Sequence, residues 1–293
     1  MKIKFYGVRG SHPVPGNETV KYGGNTSCVT IYKEVEDKIF RIIIDSGSGI
    51  VKLGREIIQN WDKEIKPINL FFTHLHPDHT SEFPFFAPNY REDAEINMYG
   101  MQALKMHVGK VIERNMIPPN FPIEYKDLKS KRKHFIIKDN TRFKLKYKGN
   151  EIFEIHVMQS FAPSHPQQGA IYYKIIDIEK GSSVACIWDI ESKIGGDKAV
   201  INFSKGCDCM IHDTQYTKEE YESSKYIVQG FGHSTYDMAI ENALKSNIKK
   251  YLICTHFNTT HSDKFLDSIS HEIEKKELPF KVILAYEGLE IEL

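Results

Sequence analysis

The chain has 293 residues, of which 41% are hydrophobic and 27% charged; this is the balance of a folded globular protein and excludes a disordered chain or a coiled coil. Lys plus Arg equals Asp plus Glu, 39 against 39, so no overall field draws the molecule to nucleic acid or to an anionic membrane. No stretch approaches the roughly 18 apolar residues of a membrane span, and the opening MKIKFYGVRG lacks the apolar run of a signal peptide, so a cytoplasmic protein is expected.

In chain order, β-like runs come first at 2–6, 28–33 and 39–45, the last being FRIIIDSGSG, a buried strand that breaks at Asp45 and the glycines. Ile50, Leu53, Ile57 and Ile58 then fall at helical spacing, and the apolar INLFF runs into THLHPDH. From about 84 to 130 the texture turns to Pro-rich and aromatic segments, FPFFAPNY and IPPNFP, around a helical MQALKMHVGKVIERN. This reads as an excursion within the fold. Three readings of its Phe85, Phe86, Tyr90 and Phe121 stand side by side: a wall of the substrate pocket, core packing, or a homodimer contact. The one basic run, Lys126 to Lys138, reads as a solvated face rather than a binding patch.

Short strands rich in β-branched and aromatic residues resume near 134–138, 142–148, 152–158, 170–176 and 183–188. The final third alternates: strand 208–212, helices 217–223 and 234–246, strand 250–255, helix 263–275, and strands 281–284 and 289–292. Ser234 followed by Asp237 resembles a capping box opening the second of these helices. The five cysteines, Cys28, Cys186, Cys207, Cys209 and Cys254, lie mostly in apolar runs and read as buried thiols without disulfides. Cys207 and Cys209 form a C-x-C, not a C-x-x-C metal motif. Length alone allows one large α/β domain or two ordinary ones. Strand runs followed by strand–helix alternation suit two mixed sheets packed face to face with helices outside.

The segment T-H-L-H-P-D-H places three imidazoles and a carboxylate within six residues, at the end of a strand that is apolar on both faces. Such a strand is central in its sheet and holds its end rigidly, as a metal site requires. His74 and His76 are two apart on extended chain, so their rings project to one side and can grip one cation. Pro77 turns the chain, and the adjacent Asp78 and His79 can face a second. Nitrogen and oxygen donors together favour Zn²⁺, Mn²⁺ or Fe over Ca²⁺ or Mg²⁺.

H-x-H-x-D-H after an apolar strand resembles the signature of the metallo-β-lactamase superfamily. The opening KFYGVRGSHPVP…YGGNTSC and the strand end IIIDSGSG are similar to the branch that holds ribonuclease Z-like and phosphonate-pathway phosphodiesterases. The resemblance covers nearly the whole chain and implies a single domain, 1–293, with the four-layer αββα sandwich of that family. It also implies further ligands: His165 in APSHPQQGAIYYKI, a bridging Asp189 in SSVACIWDIE, where Gly-Asp-Thr is more usual, and His256 in YLICTHFNTTHSD, with His261 as a weaker rival. One of two divalent cations would then have His74, His76 and His165, the other Asp78, His79 and His256, with Asp189 shared. Asp78 also counts as a catalytic carboxylate. His233, in GFGHSTYDMA, is similar to the His-Ser-Thr element of the ribonuclease Z-like branch and becomes the candidate proton donor. Asp213 and Asp45 are expected to support ligands from behind, and His212 to be structural.

Two cations sharing a water bring its pKa toward neutrality, so no side-chain nucleophile is needed; neither a Gly-x-Ser-x-Gly elbow nor a P-loop is found. The resemblance implies a phosphodiesterase that attacks a small or nucleotide-like diester, cyclic ones included, through a metal-bridging hydroxide. Processing of tRNA 3′ ends is the first alternative. The neutral charge speaks against nucleic acid as the partner. A hydrolase of lactones or thioesters, or an idle binding protein of the same fold, follows.

Overall fold

Ile42, Ile43 and Ile44 are buried on both faces, as are all four residues of Ile68–Phe71. That is the pattern of strands interior to a sheet, and the two runs pair in parallel. The structure, a computed structural model, describes residues 1–103, 106–160, 164–166 and 169–293. The chain divides into two units, each with its own sheet.

The first unit comprises Met1–Pro15, Gly23–Ile137 and Tyr286–Glu292. Its strands are β1 (Lys2–Gly7), β2 (Cys28–Val35), β3 (Lys38–Ile44), β4 (Ile68–Phe71), β5 (Glu95–Gly100), a two-stranded ribbon of β6 (Gln102–Ala103) and β7 (Met106–His107), then β8 (Lys131–Ile136) and the late β16 (Glu290–Glu292). Seven of them make a mixed sheet ordered β16-β1-β2-β3-β4-β5-β8, antiparallel from β16 to β3 and parallel beyond. The helix α1 (Ile50–Gln59) buries Ile50, Leu53 and Ile57, the stripe its spacing predicts, into a core with Phe72, Phe83, Ile96 and Met98.

The excursion at 84–130 needs correcting in detail. It contains β5, whose Ile96 and Met98 point into the core, while Tyr99 on the other face stacks 4.4 Å from Phe71 and 4.7 Å from Phe135. Within MQALKMHVGKVIERN the described residues form an α-helix over α3 (Val108–Asn115), after the short ribbon; Leu104 and Lys105, within the expected helix, lie outside the described residues. Phe86 is core, whereas Phe85 is 52% exposed and meets Phe121 edge to face. Residues 131–136 of the basic run form β8, an edge strand with Lys131 and Lys133 exposed, which discourages pairing with another chain.

The second unit comprises Gly16–Tyr22, Lys138–Ala285 and Leu293. β9 (Arg142–Tyr147), β10 (Asn150–Gln159), β11 (Ile171–Asp177) and β12 (Ser183–Ile187) form an antiparallel meander. β13 (Cys209–Asp213), β14 (Tyr251–Thr255) and β15 (Lys281–Leu284) continue it in parallel from β12. Parallel neighbours need crossovers. These are α4 (Lys198–Ser204), unforeseen in the sequence, then the pair α5 (Lys218–Tyr221) and α6 (Tyr236–Lys245), then α7 (Asp263–Glu274), with α2 (Pro77–Thr80) belonging to the first unit. Both sheets are thus mixed and seven-stranded, with helices alongside.

The cap of α6 is Thr235, whose hydroxyl accepts from Met238 N at 3.2 Å, not Ser234. The true capping box is Thr217 with Glu220, on α5. None of the five cysteines, all buried, is in a disulfide, and burial pushes the Cys209 and Cys28 thiols well up. Among the described residues no helix is long and apolar enough to cross a membrane.

Candidate metal centre

In the first unit the donors grow from the end of β4. Asp45 follows β3 directly and adopts φ 62°, left-handed backbone that a non-glycine residue holds only under constraint. That bend aims its carboxylate at the next strand's end. Thr73 donates to it through backbone N and hydroxyl, both at 2.8 Å, and His79 Nδ1 donates at 2.7 Å. Burial raises the Asp45 pKa, and the His79 and Thr73 hydrogen bonds only partly offset it. With Nδ1–H committed to Asp45, His79 presents Nε2, which lies 3.2 Å from Asp78 Oδ2. A carboxylate behind an imidazole is the arrangement that fixes the tautomer of a metal ligand.

His74 Nε2 and His76 Nδ1 approach to 2.9 Å, so two imidazole nitrogens of neighbouring residues converge as the i, i+2 spacing requires. Pro77 opens α2 and holds His76 extended at ψ 155°. Asp78 Oδ2 accepts from Ser11 N at 2.8 Å. A Cβ on Gly47 would lie 2.3 Å from the Asp78 carbonyl oxygen, so only glycine lets the two loops meet.

In the second unit three parallel strands end on one edge, where α/β sheets place their ligands. Asp189 lies two residues beyond β12 at φ 47°, and His256 follows β14 at φ 63°. His256 Nε2 lies 3.3 Å from Asp189 Oδ1, and His165 Nε2 lies 3.9 Å from Asp189 Oδ2. His165 Nδ1 donates to the Gly232 carbonyl at 3.1 Å, which leaves Nε2 for a cation. Gln167 and Gln168, beside it in the sequence, lie outside the described residues.

His233 stacks on His256, ring centres 5.0 Å apart, and its Nδ1 donates to Asp213 Oδ2 at 2.7 Å. Asp213, expected behind a metal ligand, therefore serves the candidate proton donor, and it also accepts from Ile190 N and Gln215 N. Donor atoms of His165, Asp189 and His233 lie within 4.8 Å of one another, as do those of Asp213, His233 and His256. Sequence reasoning placed His233 at the site but not its pairing with Asp213, 20 residues away in the chain. His212 is structural, bonded to the Asp213 carbonyl and to Asn242. His261 pairs with Glu220 at 2.8 Å and so stands apart from these groups.

Imidazole and carboxylate donors, all buried but the half-buried His76, with tautomers set by Asp45 and Gly232, fit a divalent metal of the Zn, Mn or Fe kind. The family model described as the beta-lactamase superfamily domain matches residues 40–257. A curated ribonuclease Z from Picrophilus torridus is 24% identical over 89% of this chain and 87% of its own. Among solved structures, the metallo-beta-lactamase fold protein YhfI from Bacillus subtilis superposes with TM-score 0.67 at 18% identity, over 99% of this chain and 98% of that one. Unliganded yeast PDE1 does so with TM-score 0.64 at 14% identity, over 100% and 99%. The fold is the metallo-β-lactamase fold, and family and donors together indicate a metal-dependent hydrolase. On the match of its family model, the chain belongs to the metallo-β-lactamase superfamily.

Proposed function

We propose that the protein is a phosphodiesterase for small or nucleotide-like phosphodiesters, cyclic ones included. In this reading the chain is one catalytic domain with a centre of two divalent cations, Zn²⁺ before Mn²⁺ or Fe. His74, His76 and His165 would hold one cation, Asp78, His79 and His256 the other, with Asp189 shared. Such ions supply a water made acidic enough to ionise near neutral pH and neutralise charge at phosphorus.

The observation that carries the reading is the Asp213–His233 pair at 2.7 Å. Cleaving a phosphodiester expels an alkoxide, which needs a proton. Asp213 fixes the His233 tautomer with Nδ1–H inward and presents Nε2, an imidazole nitrogen able to carry that proton. Asp78, held by the Ser11 amide, keeps a carboxylate oriented beside His79. The name of the curated relative, ribonuclease Z, supports the bond type, since RNA is a phosphodiester polymer.

That same name favours a second reading, an RNA substrate such as a tRNA precursor. The equal counts of 39 acidic and 39 basic residues weigh against it, because RNA affinity is drawn from phosphate contacts. Metal-loaded protein is to be tested on bis(p-nitrophenyl) phosphate, cyclic nucleotides, a lactone, a thioester and a β-lactam. We expect turnover of a phosphodiester, its loss by about 10³-fold or more in His76→Ala, and reduced metal content in that variant with an unchanged circular dichroism spectrum. Turnover of only the carbonyl esters would remove the proposal.

A further inference from the structure

Glu191 has no part in the metal-ligand set, yet it lies two residues beyond Asp189 and holds the loop that carries His233. Its carboxylate accepts from Gly230 N at 2.8 Å, from Gly232 N at 3.1 Å and from the Tyr221 hydroxyl at 2.6 Å. Gly230 and Gly232 have φ of 86° and 90°. Two amides of one loop therefore converge on a single anion, the concave geometry called a nest. Here the anion is built into the chain.

The loop so held does two things. The Gly232 carbonyl accepts from His165 Nδ1, and a Cβ at Gly232 would come within 2.5 Å of that same nitrogen, so loop and imidazole are in close register. The next residue is His233, on Asp213. Ser234 closes the other end: its hydroxyl donates to the Ile190 carbonyl and accepts from Ser192 N at 3.0 Å. Segments 190–192 and 230–234 are thereby zipped together around Glu191. This explains why Ser234 does not cap α6.

We propose that Glu191 is a positioning residue for the metal centre: through the Gly230–Gly232 turn it sets the tautomer and placement of His165 and the placement of His233. It touches neither metal nor substrate. The inference rests on the reading of His165 as a ligand, but not on the substrate being a phosphodiester. Losing the carboxylate leaves two inward amides and a phenol without their acceptor, so the turn relaxes and the Gly232 carbonyl leaves His165.

The test compares wild type with Glu191→Ala and Glu191→Gln, Gln keeping the size and one accepting oxygen. Zn²⁺ affinity is measured by competition with a chromophoric chelator, and Tm is measured with and without Zn²⁺. We expect Zn²⁺ affinity about 10- to 100-fold weaker in Glu191→Ala, the range typical for groups that orient ligands. Glu191→Gln should fall between it and wild type. The metal-free Tm should stay near wild type while the Zn²⁺-induced rise shrinks. Unchanged Zn²⁺ affinity, or a metal-free Tm that drops as far as the loaded one, would overturn the proposal and leave Glu191 a loop brace. Should wild type bind Zn²⁺ but hydrolyse no phosphodiester, the substrate reading fails and the Glu191 result still stands or falls by itself.

Discussion

His233 is the side chain on which two chemistries compete. Its donor atoms sit within 4.8 Å of His165 and Asp189, and of Asp213 and His256, so geometry alone admits it as a ligand. The 2.7 Å bond to Asp213 suits either role, since a carboxylate behind an imidazole steadies ligands and acids alike. Metal content separates them. For a proton donor, His233→Gln should lower kcat by about 10²-fold or more while the bound metal is retained, and Asp213→Asn should lower it in the same direction. Metal loss parallel to the loss of turnover would make His233 a ligand instead. At this scale legibility follows sequence distance. THLHPDH is readable because its four donors are local and sit at a strand end. His233 lies 20 residues from Asp213 and the partners of Glu191 lie 30 to 41 residues away; only the folded chain shows them.

Elements were readable where the period was clean and hidden where function or short length disturbed it. The stripe Ile50, Leu53, Ile57 announces α1, and the apolar runs announce β3 and β4. β5 was hidden because Ile96 and Met98 alternate with Asn97 and Tyr99 inside a Pro-rich, aromatic texture, and its Tyr99 face is aromatic rather than polar. α4 was hidden because it is short and its signal is a single cap, Asp197, accepting from Ala199 N and Val200 N. α5 is only four residues long and depends on its capping box, which Glu220 shares with His261. Burial raises the Glu220 pKa, but the hydrogen bonds from His261 and Thr217 outweigh it, and the carboxyl sits below its ordinary range. A folded pKa below the unfolded one adds stability that is present above about pH 4.3 and is lost as pH falls through the folded value. Glu220→Gln should therefore be less stable than wild type at neutral pH, with the gap in urea midpoint closing below about pH 4. A gap independent of pH would assign the effect to packing.

At the scale of the whole molecule, charge decides between substrates that share one bond. A protein that tracks an RNA backbone through 6–10 phosphate contacts loses about 10³- to 10⁵-fold in affinity between about 50 and 200 mM salt, because each contact releases condensed counterions. Here basic and acidic side chains are equal in number, and part of the one basic run lies in the edge strand β8, where Lys131 and Lys133 face solvent. A small diester makes contact only at the reacting phosphate and its immediate substituents, so screening touches few charges. Turnover of bis(p-nitrophenyl) phosphate should accordingly change by less than about 3-fold over that salt range, and a gel-shift with precursor tRNA should show no tight complex even at low salt. Tight tRNA binding with a steep salt slope would move the substrate to RNA, and it would do so without disturbing the metal chemistry, since both substrates present the same phosphorus to the same donors.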